Sequence, residues 1–69
     1  MTAKQAVALK AIRALIAAYG YPPTLLELSK RLRISEGAVR GRLAGLVLCG
    51  AIRIEPNTAR GIVVAESKT

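Results

Sequence analysis

Gly37, Gly41 and Gly45 recur at four-residue spacing, and Arg40 and Arg42 stand among them. On a helix, at about 100° per residue, these glycines fall along one stripe that steps by about 40°. The apolar positions of the same segment lie roughly opposite, so the stripe faces away from a core. Each exposed helical glycine costs ~1 kcal/mol relative to alanine. Close approach is a physical reason to carry that cost, because a face stripped of side chains can press its backbone against something bulky. Ala38 and Ala44 border the stripe and keep it shallow. Arg40 and Arg42 flank it, about 160° apart. That arrangement suits a helix in a DNA major groove, with a guanidinium reaching a base or a phosphate on each side. Ser35 and the first backbone N–H groups of the segment are suited to hold a phosphate. Leu48 falls near the stripe as an exposed apolar residue and weighs toward a protein contact instead.

Other chemistry is excluded by composition. The 69 residues include no His, no Asp and one Cys, Cys49. A Ser-His-Asp or Cys-His mechanism needs a histidine. Neither a zinc site nor a carboxylate cluster for paired magnesium ions can be assembled. The expectation is therefore no enzyme, no catalytic or metal residues, no cofactor and no small-molecule ligand. One cysteine makes no internal disulfide, and Cys49, beside apolar residues, reads as a small buried hydrophobe. No apolar run reaches the ~18 residues of a membrane span, and Lys10 and Arg13 interrupt what would be the core of a signal peptide.

Charge points to a polyanion. Eleven Lys and Arg stand against four Glu, for a net charge of +7 and a pI near 10.6. Nucleic acid is the leading partner and an anionic membrane surface the second. The cations concentrate in one half: Lys30, Arg31, Arg33, Arg40, Arg42, Arg53 and Arg60 lie among only two acids.

These residues need elements to position them. The first segment, Thr2 to Tyr19, carries Leu9, Ile12, Leu15, Ile16 and Tyr19 at helical spacing. Thr2 and Gln5 form a capping box, and Gly20 closes the segment. Its polar face holds only three cations, which disfavours an amphipathic membrane helix. The second segment, Leu25 to Leu32, opens on a Thr24-x-x-Glu27 capping box and turns Leu25, Leu28 and Leu32 inward. The third, Glu36 to about Cys49, is capped by Ser35, with Glu36 favoured by the helix dipole. Val39, Leu43, Leu46 and Val47 form its apolar face, and Gly50 closes it. Two short helices joined by about three residues make a helix-turn-helix. Ile52 and Ile54, then Ile62, Val63 and Val64, read as an antiparallel hairpin around the loop 56–61. Its tip carries Asn57, Thr58 and Arg60, suited to a phosphate or a minor groove. The predicted fold is mainly α with a small β-hairpin, a three-helix winged helix-turn-helix over residues 1–65. Residues 66–69 read as a flexible tail. Twelve of the hydrophobic residues are Ala, and a chain this short buries only ~60% of its unfolded surface, so the stability margin is thin.

The chain resembles the N-terminal DNA-binding domain of LexA-type repressors along nearly its whole length. The matching stretches are Thr2-Ala3-Lys4-Gln5, Gly20-Tyr21-Pro22-Pro23-Thr24 and Glu27-Leu28-Ser29-Lys30-Arg31-Leu32. Ser35 with Ala38, Gly50-Ala51-Ile52-Arg53-Ile54 and Arg60-Gly61-Ile62 complete the match. The resemblance implies a winged fold that binds operator DNA through its third helix. It gives Ser35, Gly37, Ala38, Arg40 and Gly41 the base-reading positions and brings residues 57–60 to the backbone or minor groove. The family is acidic where this chain has Arg40, so the operator should differ. Arg33 stands where the family has Gly, and the turn before Ser35 is about one residue shorter. The family continues into a Ser/Lys self-cleaving peptidase domain that also dimerises it. This chain ends at Thr69, and Ser29 beside Lys30 is no dyad, since adjacent helical residues do not face each other.

The predicted function is a sequence-specific double-stranded-DNA-binding regulator, a repressor, in a prokaryotic or viral cytoplasm. Its DNA interface takes Thr24, Lys30, Arg31 and Arg33 from the second helix and its flanks. Ser35, Gly37, Ala38, Arg40, Gly41 and Arg42 come from the third, and Asn57, Thr58 and Arg60 from the hairpin. A homodimer on a palindromic site would supply the affinity that one half-site lacks. The competing reading is a protein-binding winged helix, an adaptor or antagonist of another regulator, docked through the glycine stripe and Leu48.

Overall fold

The computed structural model describes residues 1–65. The chain runs α1 (Ala3–Tyr19), α2 (Leu25–Leu32), α3 (Glu36–Leu48), β1 (Ile52–Ile54) and β2 (Ile62–Val64). The strands pair antiparallel, Ile52 opposite Val64, Arg53 opposite Val63 and Ile54 opposite Ile62. The tail proposed at 66–69 lies outside the described residues.

Each helix begins on a side chain that satisfies its orphan N–H groups. Thr2 Oγ1 accepts from the Gln5 N–H and Gln5 Oε1 from the Thr2 N–H, both at 3.1 Å. Thr24 Oγ1 accepts from the Glu27 N–H at 3.1 Å, and Glu27 Oε1 accepts from the Thr24 N–H at 2.9 Å. Ser35 Oγ accepts from the Ala38 N–H at 3.1 Å. The helices end on left-handed residues. Gly20, at φ 80°, closes α1, and Gly50, also at φ 80°, follows the Cys49 cap of α3. There the Gly50 N–H donates to the Val47 carbonyl and the Ala51 N–H to the Leu46 carbonyl, which is a Schellman motif.

The core is small. Ile12, Leu28, Val39 and Leu46 are its largest fully buried side chains, joined by Ala8, Ala11, Leu43, Ile52 and Ile62. Every helix and both strands contribute. Three expectations about the apolar faces need correction. In α1 the deepest residues are Ala8, Ala11 and Ile12, with Leu9, Leu15 and Ile16 partly buried. Alanine lets the helices approach closely, whereas Tyr19 is 62% exposed and stacks on Tyr21 at 5.9 Å between ring centroids. Val47 is 41% exposed, because it points toward the hairpin side of α3 rather than the core. Cys49 is exposed, not buried. As the C-cap of α3, Cys49 stands about 60° round the helix from Leu46, on the side away from Val39 and Leu43, and its Sγ donates to the Leu46 carbonyl at 3.4 Å.

The turn between α2 and α3 places Arg33 at φ 59° and ψ 44°, with its N–H bonded to the Ser29 carbonyl. The Ile34 N–H reaches the same oxygen at 3.0 Å. This backbone conformation favours glycine, and it costs a residue with a Cβ ~1–2 kcal/mol. Glycine would return part of that gain through its freer unfolded chain. Arg33→Gly should therefore stabilise the domain by about 1 kcal/mol and raise its melting temperature by roughly 4–8 °C. A thermal melt followed by circular dichroism checks this, and an unchanged midpoint would mean the turn bears no strain.

Candidate nucleic-acid interface

The exposed side of α3 begins at its N-terminus, where Ser35, Glu36 and Gly37 are all exposed. A Cβ built on Gly37 would meet only Ser35 Oγ, at 3.9 Å, and one on Gly41 would meet nothing within 4 Å. Both positions are therefore open, and neither glycine is needed by the packing of the domain. Gly45 differs and corrects the expectation of a fully exposed stripe. A Cβ there would collide with the Gln5 side chain of α1. The stripe rotates by about 40° at each four-residue step, and after two steps it has turned off the open face and under α1. Gly45 thus admits the same Gln5 that closes the capping box of α1.

The two arginines of α3 flank this open face in different settings. Arg40 is exposed and lines a shallow groove of about 290 Å³ with Leu43, Ala44, Val47 and Ile54, between α3 and the hairpin. Arg42 is half-buried on the other flank, and Ala38 is half-buried as well. Lys30, Arg31 and Arg33 are exposed at the end of α2 and in the turn. Among the described residues, none of these five cations pairs with a carboxylate. The hydroxyls of Thr24 and Ser35 accept the cap hydrogen bonds, which leaves each O–H free to donate outward. Asn57 and Thr58 are exposed at the hairpin tip, with Asn57 at φ 65°, a conformation Asn tolerates.

Arg60 is the exception among the assigned residues. The sequence assigns it to the hairpin tip, facing DNA; the structure turns it back onto the body. Its Nη1 donates to Glu27 Oε1 at 2.8 Å and to the Pro22 carbonyl at 2.9 Å, and Nη2 donates to Glu27 Oε2 at 3.0 Å. The guanidinium carbon lies 4.6 Å from the centroid of the Tyr21 ring, within cation–π range. These partners are 33 and 38 residues away, and no local spacing signals them. The capping motif Thr24-x-x-Glu27 is legible in the chain, but it explains Glu27 as a helix cap and hides its second role. Gly61 follows directly and is buried against the Glu55 carbonyl, where a Cβ would collide.

Among the described residues no group of three or more His, Cys, Asp or Glu could hold a metal, and no helix is long and apolar enough to cross a membrane. The hydroxyl of Ser29 donates to the Leu26 carbonyl at 2.7 Å, whereas Lys30 points outward.

Two short helices crossing at a three-residue turn, packed under a third and followed by an antiparallel hairpin, define a winged helix-turn-helix. The LexA DNA binding domain family model matches residues 1–61, and the chain belongs to that family. It is 41% identical over 69 residues to the LexA repressor of Shewanella woodyi, covering 99% of this chain and 34% of that protein. Identity to the LexA repressor of Hahella chejuensis is 40% over 70 aligned positions, covering 100% and 35%. LexA repressor 2 of Pseudomonas putida is 36% identical over 67, covering 96% and 33%. The chain thus spans about a third of the length of the curated relatives it matches.

The hydrogen bonds from Arg60 hold the Glu27 carboxyl well below the usual carboxylate range, at about 2, with the Thr24 N–H lowering it further. Glu27 in turn raises the Arg60 guanidinium. A carboxyl lowered on folding stabilises the fold above its unfolded pKa and loses that contribution as pH falls through the folded one. The pair should therefore hold until the pH drops from about 4.5 toward about 2. A carbonyl-detected NMR titration of Glu27 should show this depressed midpoint. In Arg60→Ala it should move upward, though the Thr24 N–H will keep it below an unperturbed glutamate. A wild-type midpoint near 4.5 would mean the pair does not persist in solution.

Proposed function

We propose that this domain binds double-stranded DNA sequence-specifically and serves a transcriptional repressor, with α3 in the major groove and the hairpin, as the wing, on the backbone or minor groove. Gly41 carries this reading. Nothing in the free domain occupies the space a Cβ would fill there, so folding alone supplies no reason for the glycine. A surface pressed against the α3 backbone does supply one. Family membership supports DNA as that surface, and so do the exposed cations around it, which pair with no carboxylate among the described residues.

In this reading Arg40 reads a base edge, and guanine, with its two acceptors in the major groove, matches its fork. Gly37, Ala38 and Gly41 let the helix sit deep. The Ser35 and Thr24 hydroxyls and the first N–H groups of α3 hold phosphates. Lys30, Arg31, Arg33 and Arg42 anchor the backbone, and Asn57 and Thr58 touch it from the wing. Arg60 is engaged at the surface by Glu27 and Pro22 and is not counted among the contacts. A homodimer on a palindrome would raise the affinity beyond that of one half-site.

The test is selection from a random duplex pool at moderate salt. An enriched motif is expected, and its symmetry reports the dimer. A pool that washes through would end the DNA reading and favour a protein docked near Leu48, which is 88% exposed. With ~4–6 phosphate contacts per monomer, log K should fall against log salt with a slope near −4 to −5.

Two variants sharpen it. Arg40→Ala should cost about 1–3 kcal/mol on the selected motif and relax preference at one position. An equal loss on all duplexes would make Arg40 an anchor only. Gly41→Ala should stabilise the free domain by about 0.5–1 kcal/mol through helix propensity, yet weaken DNA binding. Unchanged affinity in this variant would remove the close-approach argument.

A further inference from the structure

We propose that Glu27 and Arg60 are positioning residues for DNA binding, a clasp that holds the wing at a set distance from the N-terminus of α2. The proposal rests on the DNA-binding reading and assigns this pair a role within it.

The hairpin is poorly placed to hold itself. Each strand has three residues, and a two-stranded hairpin is marginal alone in water. Its base is secured by Ile52 and Ile62 in the core, but residues 55–60 are all exposed. Arg60 is the described tether from that loop to the helical body. Its guanidinium makes three hydrogen bonds, two to Glu27 and one to the Pro22 carbonyl, and rests on Tyr21. Glu27 Oε1 also accepts the Thr24 N–H, so the same carboxylate caps α2 and receives the wing. The Arg60 N–H bonds Thr58 Oγ1 at 3.2 Å, which carries the constraint along the loop to the tip. One carboxylate thereby couples the two outer phosphate-contacting groups, Thr24 and Thr58, that the proposed function requires.

The pair's side chains are 39% and 46% exposed. Ion pairs this open add little to global stability, so their consequence is orientation. A free glutamate on a DNA-facing surface would repel phosphate. Paired with Arg60 it becomes a fixed, neutral strut. If releasing the strut leaves about one wing conformation in ten competent, apparent affinity falls about tenfold.

The experiment measures binding to a selected duplex and its footprint for wild type, Glu27→Gln and Arg60→Lys. Glutamine at this position still closes the capping box, and it removes a negative charge, so charge alone predicts tighter binding. Lysine keeps the charge but loses the bidentate fork and the stacking surface. The clasp predicts about tenfold weaker binding for both variants, with helicity unchanged by circular dichroism. It also predicts loss of the wing's backbone protection while major-groove guanines stay protected. Glu27→Gln binding as tightly as wild type or more tightly would overturn the clasp and leave the DNA reading intact. Equal loss of groove and wing protection would also overturn it. Failure of the wild type itself to bind any duplex would overturn the DNA reading and the clasp together.

Discussion

Four fully buried side chains, Ile12, Leu28, Val39 and Leu46, hold three helices together. The chain has no Trp and no Phe with which to enlarge that centre. A core this small leaves the helix ends to stabilise themselves. All three N-termini are accordingly capped by a hydroxyl, two of them reciprocally. Alanine in α1 serves the same economy of space. Ala8 and Ala11 are buried with Ile12 in the same cluster, so small side chains fill this part of the core.

That packing frees one face of α3. Val39, Leu43 and Leu46 commit the opposite face to the core, so Gly37, Gly41 and Arg40 are left in solvent. The glycines of this helix then serve two purposes. Gly45 is an internal contact that admits Gln5 from α1, whereas Gly37 and Gly41 are open. A helix that is seated on one side and bare on the other leaves its backbone open, with little side-chain entropy along that face.

The wing obeys a different logic. Its base belongs to the core through Ile52 and Ile62, but its loop is held by polar contacts to Glu27, Pro22 and Tyr21. A hydrophobic anchor would have fixed the tip more firmly, at the expense of its polar surface. A bidentate ion pair provides geometry without apolar area.

Much of this was legible in the chain. The three helices, their caps, the turn and both strands follow from local chemistry, since capping and periodicity act over a few residues. The open face of α3 was legible as well, from Gly37 and Gly41 with Arg40 beside them. Other features could only be decided once the elements met. Gly45 turned out to lie under α1, because a 40° drift matters only when a neighbouring helix exists to be struck. Tyr19 and Val47 stayed in solvent, because periodicity marks an apolar face but not where its edge falls. Arg60 turned inward to Glu27 because complementary charges 33 residues apart carry no spacing signal until the fold brings the hairpin beside α2. The sequence by itself determined the elements, their ends and the cationic character of the surface, all short-range or additive properties. Only the tertiary structure decided which side chains are left open to solvent and which hold the domain in shape, because that choice is made by residues distant in the chain.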